Sequence, residues 1–226
     1  MSNNRIVRLP ASEQIPAIMS EMKAAAETLR EIGWGVSVFG SARIRPDSPY
    51  YALSEGVGAR LAKAGLPVIA GGGPGIMEAA NKGAFEAGGH SVGLNIKLPR
   101  EASNNQYQTH SLTFDYFYSR KATFFMHSAA YIALPGGFGT LDELFEVLTL
   151  VQTRKVPPAP IVLIGTEFWS GLIDWIKSEL LFNQLIGPHD LDLLTITDDL
   201  DVVMSKIETF CADFAEEREV APALPQ

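Results

Sequence analysis

The chain has 226 residues, 46% of them hydrophobic, which is enough for one substantial core and a tight fit for two full domains. A net charge of −8 argues against duplex nucleic acid or anionic lipid as a partner, yet leaves room for a small phosphate, which a few backbone N–H groups bind locally. The single cysteine, Cys211, excludes an intramolecular disulfide, and the scattered histidines His90, His110, His127 and His189 show no metal-ligand spacing, so no metal is expected. No apolar run reaches transmembrane length, and the opening MSNNRIVRLP lacks the apolar core of a signal peptide. The expected setting is cytoplasmic, away from membranes.

Residues 1–10 read as a flexible tail. An amphipathic helix is predicted over 12–32, with Ile15, Ile18, Met22 and Leu29 near helical spacing and Gly33 as its stop. From there the chain repeats strand, loop and helix. Strands are predicted at 35–41, 90–96, 160–165 and 193–196, a strand running into a glycine loop at each of 66–75 and 130–140, and a short strand inside THSLTF. Helices are predicted at 50–64, 76–87, 119–128, 141–153, 167–182 and 198–214, and 215–226 read as a second flexible tail. Strands that are apolar on both faces and alternate with helices imply a parallel sheet covered on each side. The expected fold is therefore α/β, a Rossmann-like, doubly wound, mostly parallel sheet of six to seven strands, carried by one domain over 11–214.

Two glycine-rich loops fall at predicted strand ends, where open α/β sheets bind ligands. The first, Gly71-Gly72-Gly73-Pro74-Gly75, matches neither the dinucleotide fingerprint nor a P-loop, and the following strand ends in Asn95 and Lys97 where a dinucleotide fold wants an acid. The second, Pro135-Gly136-Gly137-Phe138-Gly139-Thr140, leads into a helix, and its amides suit an anion. A purely structural turn accounts for it equally well. Thr140 and Glu143 also fit a capping box, and Glu78 fits a first-turn carboxylate that complements the helix dipole. Arg120 and Lys121 follow Ser119, a plausible N-cap. Cations there oppose the dipole, and a local rule broken without visible compensation points to function.

Together these residues resemble the LOG family, the cytokinin riboside 5′-monophosphate phosphoribohydrolases, whose bacterial members are often labelled lysine decarboxylase-like. The family pattern PGGxGTxxE is complete from Pro135 to Glu143, and the family's Arg-Lys pair matches Arg120-Lys121. The resemblance runs from about Val36 to Leu163. It implies hydrolysis of the base–ribose bond of a nucleoside 5′-monophosphate, AMP or a cytokinin riboside monophosphate, to free base and ribose 5-phosphate, with no cofactor. It implies Arg120 and Glu143 as the catalytic pair and Gly136, Gly137, Gly139 and Thr140 as the phosphate loop. Ser41, Gly73, Gly75, Glu78 and Lys121 would line the nucleoside pocket, and the assembly would be a homodimer or larger. Glu78 and the DYFYS segment before Arg120 depart from plant-type members, which leaves the base open.

Three other readings compete. A pyridoxal-dependent decarboxylase needs a Schiff-base lysine, and Lys121 and Lys82, the lysines near the loops, lack that context. A non-catalytic nucleotide- or cofactor-binding module would have no need of the Arg120/Glu143 pair. A nucleic-acid-binding relative conflicts with the acidic charge.

Overall fold

The computed structural model describes residues 10–98 and 104–220. Most of the predicted first tail (1–9 of 1–10) and the last part of the predicted second tail (221–226 of 215–226) therefore lie outside the described residues, as does part of the segment between the third and fourth strands.

One sheet holds β1 (Gly35–Phe39), β2 (Val68–Ala70), β3 (Ser91–Ile96), β4 (His110–Phe114), β5 (Ser128–Ala133), β6 (Ile161–Leu163) and β7 (Leu194–Ile196). The spatial order is β4-β3-β2-β1-β5-β6-β7, and every neighbouring pair is parallel. The expected "mostly parallel" sheet is thus entirely parallel. The order reverses between β1 and β5, where Val36, Ser37, Val38 and Phe39 pair with Ala130, Tyr131, Ile132 and Ala133.

Helices α1 (Ala11–Leu29), α2 (Pro49–Lys63), α3 (Ile76–Glu86), α4 (Phe117–Met126), α5 (Phe138–Gln152), α6 (Thr166–Trp175) and α7 (Leu200–Val220) complete the chain. Side chains alternate across each strand. Val36, Val38 and Ile132 join Val57, Leu61, Ala80, Val203 and Ile207 on one face. Phe39, Tyr131 and Leu163 join Leu29, Phe124, Leu144 and Trp169 on the other. Both faces are buried, which explains why the strands read as continuous apolar runs. Among the described residues no helix is long and apolar enough to cross a membrane.

Several predicted boundaries are corrected. The helix predicted over 167–182 is α-helical only to Trp175 and continues as a π-helical turn, Ile176–Leu181, closed by Phe182 N–H donating to the Lys177 carbonyl at 3.1 Å. The last helix runs to Val220 rather than 214. Ser119 is not an N-cap, because α4 starts two residues earlier with Tyr116 at its cap position. Thr140 is not an N-cap either. Gly137 holds that position in extended backbone, so Thr140 and Glu143 both lie inside α5 and form no capping box.

Candidate active site

Helices that begin at the carboxyl end of the sheet differ in the fate of their free N–H groups. In α2 the Ser48 hydroxyl accepts from Tyr50 N–H. In α3 the Ile76 N–H donates to the Ser41 carbonyl at 3.1 Å. In α6 the Asp198 carboxylate accepts from the amides of Gly165 and Thr166. The start of α5 has no side-chain cap, and its residues Gly137, Phe138 and Gly139 are exposed. An ideal Cβ built on Gly137 or Gly139 would meet no atom within 4 Å. Bare backbone at an open helix start is an anion site in waiting.

That helix start forms one wall of a cleft of about 660 Å³ at the switch point between β1 and β5. Ser41 N–H donates to the Pro135 carbonyl at 3.1 Å and ties the loops after β1 and β5 together. Arg120 and Glu143 lie at the floor. Arg120 Nε donates to the Leu94 carbonyl at 2.6 Å and Nη2 to the Gly71 carbonyl at 3.3 Å, and the guanidinium sits 5.3 Å from the centre of the Phe124 ring. A side chain on Gly71 would strike the guanidinium. Its Nη1 faces Glu143 Oε1 at 3.6 Å.

Burial pushes the Glu143 carboxyl up to about 7, against the pull of the Arg120 charge; Asp142 and Glu146 add to the rise and Lys121 opposes it. Burial also lowers the Arg120 pKa, partly offset by Glu143. The guanidinium remains a cation throughout the working range of pH.

A distant contact explains how the start of α4 tolerates Arg120. Glu21 of α1 accepts from Asp115 N–H at 2.8 Å and from the Ser119 hydroxyl, which puts a carboxylate at the helix start and offsets its positive end.

Of the predicted residues, Ser41, Gly137, Gly139, Thr140, Arg120, Lys121 and Glu143 line the cleft. Gly136 lies behind it, packed so closely against the Thr140 side chain that a Cβ would collide there. Gly75 caps α3 at φ 70°, with the Ser41 carbonyl where a side chain would go. Gly73 belongs to the same loop, outside the lining. Glu78 turns away towards α2 and accepts from the Tyr51 hydroxyl at 2.9 Å, in which role it fastens α3 to α2. Lys121 donates to Asp142 at 2.8 Å and pairs with Glu146.

Sequence reasoning missed Arg43 and the apolar lining residues Met77, Ile96, Leu98, Phe117 and Phe138. Two of these carried a signal: Phe138 is the variable position of PGGxGT, and Arg43 ends FGSAR. It also missed what holds the first glycine loop. Asn105 and Gln108 donate to the carbonyls of Gly73 and Gly72 at 3.1 and 3.0 Å. A larger depression, about 770 Å³, lies beside α7 but contains none of the glycine loops or the Arg120/Glu143 pair. Among the described residues, no group of three or more His, Cys, Asp or Glu side chains is placed to hold a metal ion.

Comparison with known proteins identifies the family. Residues 77–207 match a family model described as "possible lysine decarboxylase". A cytokinin riboside 5′-monophosphate phosphoribohydrolase of Rhodococcoides fascians is 31% identical over 179 residues, 77% of this chain and 89% of that protein. One of Mycobacterium marinum is 31% identical over 172 residues, 74% and 90% of the two chains. One of Arabidopsis thaliana is 29% identical over 158 residues, 68% and 73%. The molybdenum cofactor carrier protein of Chlamydomonas reinhardtii superposes with a TM-score of 0.59 over 80% of this chain and 99% of its own at 23% identity, which shows a shared fold. A pyridoxal-dependent decarboxylation would need a free lysine amine, whereas the lysine lining this cleft is held by two carboxylates. The chain belongs to the family of cytokinin riboside 5′-monophosphate phosphoribohydrolases, the LOG family.

Proposed function

We propose that the cleft hydrolyses the N-glycosidic bond of a nucleoside 5′-monophosphate, AMP or a cytokinin riboside monophosphate, to free base and ribose 5-phosphate. The observation that carries this reading is a buried Arg120–Glu143 pair on the floor of a cleft whose wall is the open start of α5. The phosphate binds at Gly137, Gly139 and Thr140. Glu143 lies three to six residues further along the same helix, roughly 5 to 9 Å by helical rise, so one rigid element spans from the phosphate to the reacting carbon. Cleavage makes the ribose oxocarbenium-like. The Glu143 carboxylate stabilises that charge or activates the attacking water. A carboxyl near 7 is suited to taking a proton at neutral pH. Arg120, fixed by two carbonyls, orients Glu143 and the substrate. Met77, Ile96, Leu98 and Phe117 give the base an apolar wall.

The same reading assigns catalysis to one domain, residues 11–214, assembled as a homodimer or larger, with exposed Tyr118 and Met126 beside the cleft available to a second copy. The test is base release from AMP, GMP, CMP, N6-isopentenyladenosine monophosphate and adenosine, by wild type, Glu143→Ala and Arg120→Ala. Release from a monophosphate but not from adenosine, abolished in both variants, supports the hydrolase. No release by folded wild type that binds AMP overturns it and leaves a nucleotide-binding module.

A further inference from the structure

Three cationic side chains line the cleft, and two are committed elsewhere. Arg120 donates to the carbonyls of Leu94 and Gly71 and faces Glu143. The Lys121 ammonium is taken by Asp142 and Glu146. Arg43 differs from both. Its backbone N–H donates to the Ser41 hydroxyl at 3.0 Å, which fixes the loop after β1. Its guanidinium is exposed, and no described residue pairs with it.

A phosphate monoester carries a charge of roughly −1.5 to −2 at neutral pH, whereas a helix start offers roughly half a positive charge. Asp142, Glu143 and Glu146 stand close by and repel an anion, and the chain as a whole carries −8. The open end of α5 therefore leaves most of the phosphate charge unmatched. Among the described residues lining the cleft, Arg43 is the cation with its charge uncommitted. We propose that Arg43 is the phosphate-recognition residue of this site, its planar fork taking two phosphate oxygens from the β1 side while the amides of α5 take the others from the β5 side. The phosphate then sits astride the switch point, and Arg43 sets the preference for a 5′-monophosphate over the bare nucleoside. The proposal rests on the nucleotide reading above but not on hydrolysis.

Calorimetric binding of ribose 5-phosphate, AMP and adenosine to Arg43→Ala, Arg43→Lys and Arg45→Ala tests it, with base release measured in parallel. Arg45 is the control, a nearby cation paired with Asp47 at 3.2 Å and absent from the cleft lining. Arg43→Ala is expected to weaken ribose 5-phosphate and AMP on the order of tenfold to a hundredfold and to leave adenosine unchanged. Arg43→Lys recovers part of the loss, and Arg45→Ala matches wild type. Unchanged ribose 5-phosphate affinity in Arg43→Ala overturns the proposal, as does an equal loss for adenosine and AMP. A protein that releases no base yet loses phosphate affinity in Arg43→Ala sinks the hydrolase reading and keeps this one. Failure of wild type to bind either phosphate overturns both.

Discussion

Arg120 and Glu143 face each other across 3.6 Å with side chains only 8% and 14% exposed, and Arg120 spends its hydrogen bonds on backbone carbonyls rather than on its partner. Glu143 therefore keeps oxygens available for substrate or water while its charge is only partly compensated. Burial dominates over Arg120, and the carboxyl rises to about 7. If catalysis needs the carboxylate, kcat/KM must fall below that pH, by about tenfold per unit once the acid form prevails. A pH–rate profile on AMP from pH 5 to 9 is expected to show this acidic limb. A flat profile over that range would remove Glu143 from the role of base.

The same shift makes Glu143 a liability for stability. Its folded pKa stands above the ordinary value, so the folded chain holds this proton more tightly than the unfolded chain does. No penalty exists well below the ordinary carboxylate pKa. The penalty grows as pH rises through the window up to about 7 and stays level above it. Glu143→Gln does not titrate, so its stability relative to wild type is expected to improve between pH 4.5 and pH 8, by up to about 3 kcal/mol. Denaturant unfolding of both proteins at the two pH values reads this directly, and parallel behaviour would show that the carboxyl is not perturbed.

The strands and helices were legible because both sheet faces are buried and the glycines punctuate the turns. The sheet order was not, since nothing local in β1 says that it pairs with β5, whose first residue lies far along the chain. The capping box failed for a clear reason: a Thr three residues before a Glu fits a helix start, but Gly137, in extended backbone, starts α5 earlier and carries both residues into it. Arg120 was noticed for opposing a helix dipole, and its compensation, Glu21 of α1, came from an element that local reading never brings near. The pairing of Arg120 with Glu143 was legible only through family resemblance. Arg43 went unremarked because its significance lies in what its neighbours have already spent.

The two glycine loops make opposite predictions for Gly→Ala. Gly75 has φ 70° and the Ser41 carbonyl where a Cβ would sit. Gly75→Ala combines a backbone conformation reserved for glycine with a collision against main chain, and is expected to destabilise by about 3 kcal/mol or more. Gly137 has φ −96° and open space around it. Gly137→Ala is expected to leave stability within about 0.5 kcal/mol, because the new methyl meets no atom within 4 Å. AMP affinity is expected to fall on the order of tenfold, because the methyl then occupies space the phosphate needs. Thermal unfolding with and without AMP separates the two effects, and equal melting losses in both variants would contradict this division.

Lys121 bridges α4 to α5 through Asp142 and Glu146, so it holds Arg120 and Glu143 in mutual register although its own ammonium is spoken for. Lys121→Met removes both links and leaves two carboxylates facing each other beside Glu143. The side chain is 19% exposed, so the pairs are not fully screened, and a loss of about 1 kcal/mol is expected. Lys121 also opposes the rise of the Glu143 pKa, whereas Asp142 and Glu146 promote it. Once the lysine charge is gone, the acidic limb of the pH–rate profile is expected to move to higher pH. Lys121→Arg keeps the charge and should restore the limb even where the melting temperature stays low. A limb that stays in place in Lys121→Met would mean that the lysine acts through packing alone.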